Sequence, residues 1–111
     1  MPMNQDAFVG FIKLHVLHHA AGQPVYGLWL IDELREHGYR SSPGTLYPTL
    51  HQLERSGLLR CKHEKIDGKI RKYYHITAKG KLHLQRVKRQ LAELVDEIFE
   101  GESLKAYLRP R

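Results

Sequence analysis

Polar side chains that could contact bases or phosphates are interleaved with leucines in one short segment, SPGTLYPTLHQLE at residues 42 to 54. Leu46, Leu50 and Leu53 have the i, i+4, i+7 spacing that turns one face of a helix toward a core. The opposite face then carries Gly44, Thr45, Pro48, His51, Gln52 and Arg55, with Tyr47 at its margin. Hydroxyl, imidazole and amide groups of this kind hydrogen-bond to base edges and phosphates, and the Gln52 amide suits adenine. The segment is therefore a candidate for a helix that enters a DNA groove.

Two prolines in this segment constrain where its helix begins. Ser42 followed by Pro43 is typical of a helix cap and the first helical residue. If the helix begins there, Pro48 loses one hydrogen bond to the Gly44 carbonyl, at little cost on an outward face that water or DNA can reach. If regular helix instead begins near Thr45, Pro48 lies in its first turn and loses nothing.

Positive charge is concentrated in one part of the chain. The formal net charge is +6. Residues 60 to 89 hold eleven Lys and Arg against two acidic residues, a net of +9, so the rest of the chain is −3. This asymmetry is typical of a nucleic-acid-binding surface, although a solvated basic face would look the same.

Other kinds of site find less support. The 111 residues form one domain, and no apolar run approaches the ~20 residues of a membrane span. Cys61 is the only cysteine, no signal peptide is visible, and we expect a cytoplasmic protein without cofactor. No paired carboxylates, nucleophile arrangement or phosphate loop indicates an enzyme. The spacing of His15, His18 and His19, with the pair Cys61 and His63, leaves a metal-responsive regulator as an alternative, but no closed ligand set is evident and we expect no metal.

The elements that must position the candidate helix follow from periodicity. Residues 6 to 20 are apolar nearly all round a helix, which favours burial on more than one side. Residues 25 to 37 form a second helix ended by Gly38, and a short connection at 40 to 42 leads into the third.

A β-hairpin follows the third helix. Asp67 and Gly68 are a strong signal for a two-residue turn between residues 59 to 65 and 70 to 76. Centring the turn there pairs Leu59 with Ile76 and Cys61 with Tyr74 on one face. The other face pairs Arg60 with His75, Lys62 with Tyr73, and Glu64 with Arg71. Tyr74 is expected in the core, and four residues are expected to contact DNA: Lys69, Arg71, Lys72 and Tyr73.

The last helix is predicted over residues 78 to 100, capped by Thr77. Its apolar residues recur at spacings of 3 and 4, like the a and d positions of a coiled coil. A small domain could cover part of this stripe itself, but the helix is about 34 Å long, which favours a second chain. We expect a homodimer whose interface includes residues of the first and last helices: Phe8, Phe11, Ile12, Leu84, Val87, Leu91, Leu94 and Ile98. Residues 101 to 111 are expected to fold back as one helical turn.

The order of elements predicts a mainly α fold with a small β-hairpin, a winged helix-turn-helix with a long C-terminal dimerisation helix. Residues 1 to 77 would form the DNA-binding part and 78 to 111 the dimerisation part of one compact unit. The stretch VYGLWLIDELREHGYRSSPGTLYPTLHQLERSGLL, followed by DGKIRKYYHITAKGK, resembles the PadR-like transcriptional regulators from about Leu17 to Leu82. The resemblance implies a dimeric repressor that binds a double-stranded operator and releases it when a small molecule binds.

Two other hypotheses stay open beside this one. RNA binding or nonspecific nucleic-acid binding would also use the basic stretch, but would show no strong sequence preference. A dimer that only binds protein would need no groove-facing polar helix.

Overall fold

The predicted order of elements is confirmed. The computed structural model describes residues 5 to 108, the side chains of residues 5 to 8 excepted. The elements are α1 (Gln5–Gly22), α2 (Gly27–Glu36), α3 (Pro43–Arg55), β1 (Leu59–Ile66), β2 (Lys69–Ile76), α4 (Ala78–Ile98) and a 3₁₀ turn (Leu104–Tyr107). The fold is mainly α with a two-stranded antiparallel hairpin.

Helix α2 is shorter than predicted at its start. Val25 does not begin a helix, because its backbone N–H donates to the Tyr74 carbonyl and its carbonyl accepts from the Tyr74 N–H. The predicted helix start at Val25 is therefore wrong, and this residue instead extends the hairpin sheet by one bridge. The predicted stop is confirmed, since Gly38 has a φ of 86° and Tyr39 N–H donates back to the Leu34 carbonyl.

Helix α3 begins at Pro43 with Ser42 as its extended N-cap, and Pro48 lies inside it. The alternative start near Thr45 is therefore wrong. Pro48 and Gly44 are both exposed, so the carbonyl that Pro48 leaves without its helical donor lies on the solvent side.

The hairpin register is confirmed at every predicted pair, from Leu59 opposite Ile76 to Glu64 opposite Arg71. Asp67 and Gly68 have φ values of 53° and 79°, the conformation that a two-residue hairpin turn requires. Because the register is fixed, the two faces of the hairpin are fixed with it.

The start of α4 is locked onto the end of α3. The Thr77 hydroxyl accepts from the Gly80 N–H and donates to the Gly57 carbonyl, at 2.9 and 2.6 Å. A Cβ at Gly80 would overlap the Leu58 carbonyl oxygen, so only glycine allows this approach. The cap predicted at Thr77 is confirmed, and α4 ends at Ile98, two residues earlier than predicted.

One apolar core joins α1, α2, α3 and the base of the hairpin. Its fully buried members include Val16, Leu30, Leu34, Leu46, Leu50 and Tyr74, which confirms the predicted inward face of α3 and the core position of Tyr74. Of α4, only Gly80 and Leu84 are buried. The molecule measures 49 × 28 × 26 Å, and most of α4 extends from the core with its apolar stripe exposed.

No helix among the described residues is both long and apolar enough to cross a membrane.

Candidate nucleic-acid interface

The outward face of α3 presents the predicted polar groups. Gly44, Pro48 and Gln52 are exposed, while Thr45 and His51 are partly buried at its flanks. The three core leucines hold the opposite side of the helix and so fix this orientation. The outward face of α3 therefore exposes hydroxyl, imidazole and amide groups. The first turn of this helix has no acidic side chain.

Tyr47 has a second role that the sequence did not reveal. Its hydroxyl lies over Gly27, where any Cβ would overlap the tyrosine ring and oxygen. Tyr47 thus packs the start of α3 against the start of α2, and Gly27 is the residue that permits this packing. Within the described part of the chain the Tyr47 hydroxyl has no hydrogen-bond partner, so it can still donate to a ligand.

Gln52 lies on the flank of α3 that faces α1 and α4. It lines a groove with Lys79 and His83 of α4, on the side of the helix away from Tyr47. Its amide is exposed, so a base contact there would come from the edge of α3 nearest α4.

The hairpin carries the predicted cations on its exposed part. Lys69 and Lys72 are exposed and Arg71 is partly buried. The pKa of Lys72 is raised, mainly by Tyr74.

Tyr73 is a correction to the predicted set of DNA contacts. Its side chain is only 5 % exposed, because it packs edge to face against Tyr26 with ring centroids 5.5 Å apart. A side chain so covered cannot lie against DNA, and Tyr73 belongs to the support of the hairpin instead.

Tyr26 completes an aromatic and cationic stack beside the hairpin. The Arg71 guanidinium carbon lies 4.1 Å from the centre of the Tyr26 ring, whose edge-to-face neighbour is Tyr73. The sequence did not indicate that Tyr26 would lie against Arg71 of the hairpin. The available signal was its place in VYG, directly before a glycine that opens a helix.

The expected dimer surface divides into buried and exposed residues. Ile12 is 0 % and Leu84 7 % exposed within the single chain, so both are core residues and the prediction that they face a partner is wrong. The side chain of Phe8 lies outside the described residues. Of the remaining five, Val87 is partly buried, and four are exposed: Phe11, Leu91, Leu94 and Ile98.

All of these residues except Ile98 border an apolar groove of about 700 Å³. Its walls are α1, the C-terminal half of α3 and α4, with Phe11, Leu14, Leu53 and Leu91 among the lining residues. Gln52 and Ser56 also line it, so the groove touches the helix that carries the candidate DNA face.

The histidines of α1 cluster with residues of α2 rather than with the hairpin. Glu33 Oε1 lies 3.6 Å from His19 Nε2 and 3.3 Å from His37 Nε2, and the ring of His15 lies 5.1 Å from that of His37. Burial lowers the pKa of His15 and of His19. Across the described residues, no group of three or more His, Cys, Asp or Glu side chains could hold a metal ion.

Comparison with known proteins identifies the family. Residues 16–86 match the model of the transcriptional regulator PadR-like family. The chain is 50% identical over 92 residues to transcriptional regulator Rv3488 of Mycobacterium tuberculosis, covering 83% of this chain and 86% of that protein. A PadR family regulator from Eggerthella lenta superposes with a TM-score of 0.71 at 33% identity, covering 85% of this chain and 83% of that one. A PadR-like transcription factor from Bacteroides fragilis superposes with a TM-score of 0.73 at 27% identity, covering 85% and 92%.

With the polar face of α3 and the basic hairpin beside it, these matches place the chain in the PadR-like family of transcriptional regulators, which are DNA-binding proteins and not enzymes.

Proposed function

We propose that this protein is a sequence-specific repressor that binds a double-stranded operator as a homodimer and is released by a small-molecule effector. The observation that carries the proposal is the placement of an exposed polar helix face next to an exposed basic hairpin, with the core leucines turned away from both. This is the arrangement in which a recognition helix enters the major groove and a wing reaches the neighbouring backbone.

Base reading and phosphate binding fall to different elements. On α3, the side chains suited to base edges are those of Thr45, His51 and Gln52. Because Gly44 and Pro48 are small residues, the start of the helix can approach DNA closely. Lys69, Arg71 and Lys72 on the wing supply phosphate contacts, which position the protein without reading sequence. Tyr47 lies between the two sets.

The homodimer is supported by the exposed stripe of α4. Leu94 and Ile98 are 51 % and 58 % exposed, and with Leu91 they continue the groove that Phe11 borders. A second copy offers a matching stripe, since a two-fold interface uses the same surface on both subunits. The last helix of the partner is therefore the occupant we propose for the part of this groove that Phe11, Leu91 and Leu94 line.

Effector release follows from the place of that interface. Two recognition helices must lie about 34 to 36 Å apart to enter successive major grooves. Because the groove is lined by both α4 and the end of α3, a ligand bound at the interface would change the crossing of the last helices and with it this spacing.

Selection of bound sequences from a random pool of DNA duplexes tests the proposal. A sequence-specific dimer should enrich a two-fold symmetric site with half-sites one helical turn apart. A pool without any enriched sequence would favour the nonspecific alternative and contradict the proposal.

Two variants separate base reading from phosphate binding on the enriched duplex. Gln52→Ala should relax preference at one base position by about 1 to 3 kcal/mol, and Lys72→Ala should weaken operator and random DNA alike and lower the salt slope by about 1. Equal losses on both DNAs for both variants would argue against sequence reading by α3.

A further inference from the structure

The hollow between the wing and the start of α3 is lined by cationic and phenolic hydrogen-bond donors. It has a volume of about 220 Å³ and is lined by Tyr26, Tyr47, Arg71 and Lys72 among others, with no carboxylate in its wall. Within the described part of the chain, Arg71 and Lys72 form no ion pair and the Tyr47 hydroxyl forms no hydrogen bond. A guanidinium, an ammonium and a phenol that line one hollow are the groups that bind an anion.

The neighbouring carboxylate is held away from Arg71. Glu64 is the cross-strand partner of Arg71, and an ion pair between them would be the ordinary result. Instead, Glu64 Oε1 is bonded to Nε2 of His75, four residues beyond Arg71 on β2. Arg71 therefore keeps its N–H groups for a ligand.

Arg71 is held by stacking instead of by an ion pair. Its guanidinium carbon lies 4.1 Å from the centre of the Tyr26 ring, and the buried Tyr73 braces that ring edge to face. Stacking fixes the plane of a guanidinium while leaving its N–H edge open, so the side chain is oriented before a ligand arrives.

The element that carries Tyr26 is itself tied to the wing. The adjacent Val25 exchanges two backbone hydrogen bonds with Tyr74, at 3.1 and 2.7 Å. On the other side of the hollow, Tyr47 lies over Gly27. The wing, the start of α2 and the start of α3 therefore hold the hollow in one shape.

We propose that this hollow binds one backbone phosphate of the operator through Arg71, Lys72 and the Tyr47 hydroxyl, and that Tyr26 is the positioning residue that orients Arg71. The proposal rests on the proposed DNA binding and deepens it. The bound phosphate would lie where the wing meets the recognition helix, so a single contact would fix the position of both elements on the duplex.

A double-mutant cycle on a random-sequence duplex tests the role of Tyr26. Tyr26→Leu should weaken binding about 3- to 10-fold and lower the slope of log affinity against log salt toward that of Arg71→Ala, which loses about 1 unit. In the Arg71→Ala background the same change should cost less than about 2-fold. Tyr26→Phe keeps the ring and should restore both affinity and slope.

Two further variants examine the hollow itself. Tyr47→Phe removes only the hydroxyl and should weaken binding about 10-fold at an unchanged melting temperature. Arg71→Lys keeps the charge but not the planar stack, and should make Tyr26→Leu nearly neutral.

The outcomes separate this inference from the proposed function. If the wild-type protein binds no duplex DNA, the proposed function fails. If it binds DNA but Tyr26→Leu costs the same affinity with and without Arg71, or leaves the salt slope unchanged, Tyr26 has only a packing role and the inference is overturned. Wild-type affinity for Tyr47→Phe would overturn the phosphate assignment in the hollow.

Discussion

The part of the molecule that carries α3 and the hairpin differs from the last helix in how much of its apolar surface the single chain buries. In the first, α1, α2, α3 and the hairpin share one buried core, and the wing is bonded back to Val25. In the second, α4 is anchored at Gly80 and Leu84, and the stripe from Leu91 to Ile98 stays exposed.

This difference indicates which surface is complete in the single chain and which is suited to packing against a second chain. Polar groups exposed on a rigid, self-contained core are already arranged for a ligand, and little ordering is needed on binding. Apolar side chains exposed in a row cost free energy in water and are typical of a contact with another chain. The predictions below test the two halves separately.

The largest effect is expected from breaking the α4 stripe. The double substitution Leu91→Glu and Leu94→Glu places two like charges where the proposed partner helix packs, and should yield a monomer. Losing one of two linked half-site contacts should weaken operator binding at least about 100-fold. Sedimentation equilibrium and a gel shift on the selected operator measure both.

Leu82→Glu is the matched control for that change, because Leu82 is also an exposed leucine of α4 but lies outside the stripe. It should leave the dimer and its affinity unchanged. A double variant that stays dimeric, or a monomer that binds the operator as tightly as the wild type, would remove the distinction between the two halves.

A smaller effect is expected at the joint between the halves. Gly80→Ala would push a methyl group against the Leu58 carbonyl oxygen, which is backbone and cannot turn aside. Overpacking of this kind destabilises by about 1 to 3 kcal/mol, which should lower the melting temperature by about 4 to 8 °C per kcal/mol. Thermal unfolding followed by circular dichroism measures it.

Gly22→Ala serves as the comparison, since a Cβ at Gly22 meets nothing within 4 Å. Its melting temperature should stay the same or rise slightly. If the two alanine variants have the same melting temperature, the contacts at Thr77 and Gly80 do not fix the start of α4.

The sequence was sufficient for features that depend on local chemistry. The hairpin register followed from Asp67 and Gly68, because positive φ at both positions leaves few alternatives. The stop of α2 at Gly38 followed for the same reason, and the cap at Thr77 followed from a side-chain hydroxyl that can accept from the Gly80 N–H. The inward face of α3 followed from the spacing of its leucines.

Features that depend on contacts between distant residues were not predictable in this way. The alternation of side chains along β2 places Tyr73 on the outer face of the hairpin. Only the folded structure shows that Tyr26 covers Tyr73 there. Ile12 and Leu84 lie on stripes that continue into exposed residues, so periodicity could not separate core from interface. The helix start predicted at Val25 was wrong because its bridge to Tyr74 joins residues far apart in sequence, which local periodicity does not show.

The smallest effect is expected from acid, and it should fall on the self-contained half. Burial lowers the pKa of His15 and of His19 below 6.5, as do neighbouring histidines, while Glu33 opposes this. As pH falls below 6.5, the unfolded chain therefore binds protons before the folded chain does, and the free energy of unfolding decreases. Between pH 7.5 and 5.5 the melting temperature should fall by a few degrees, on the scale that such proton binding produces.

Replacing one of these histidines should reduce that dependence. His15→Phe removes a group whose pKa is lower in the folded chain than in the unfolded chain, while the phenyl ring can still pack against Tyr39 and His37. The difference in melting temperature between the variant and the wild type should therefore widen in favour of the variant as pH falls. A constant difference across the range would mean that His15 binds its proton equally in both states, and that acid acts elsewhere in the molecule.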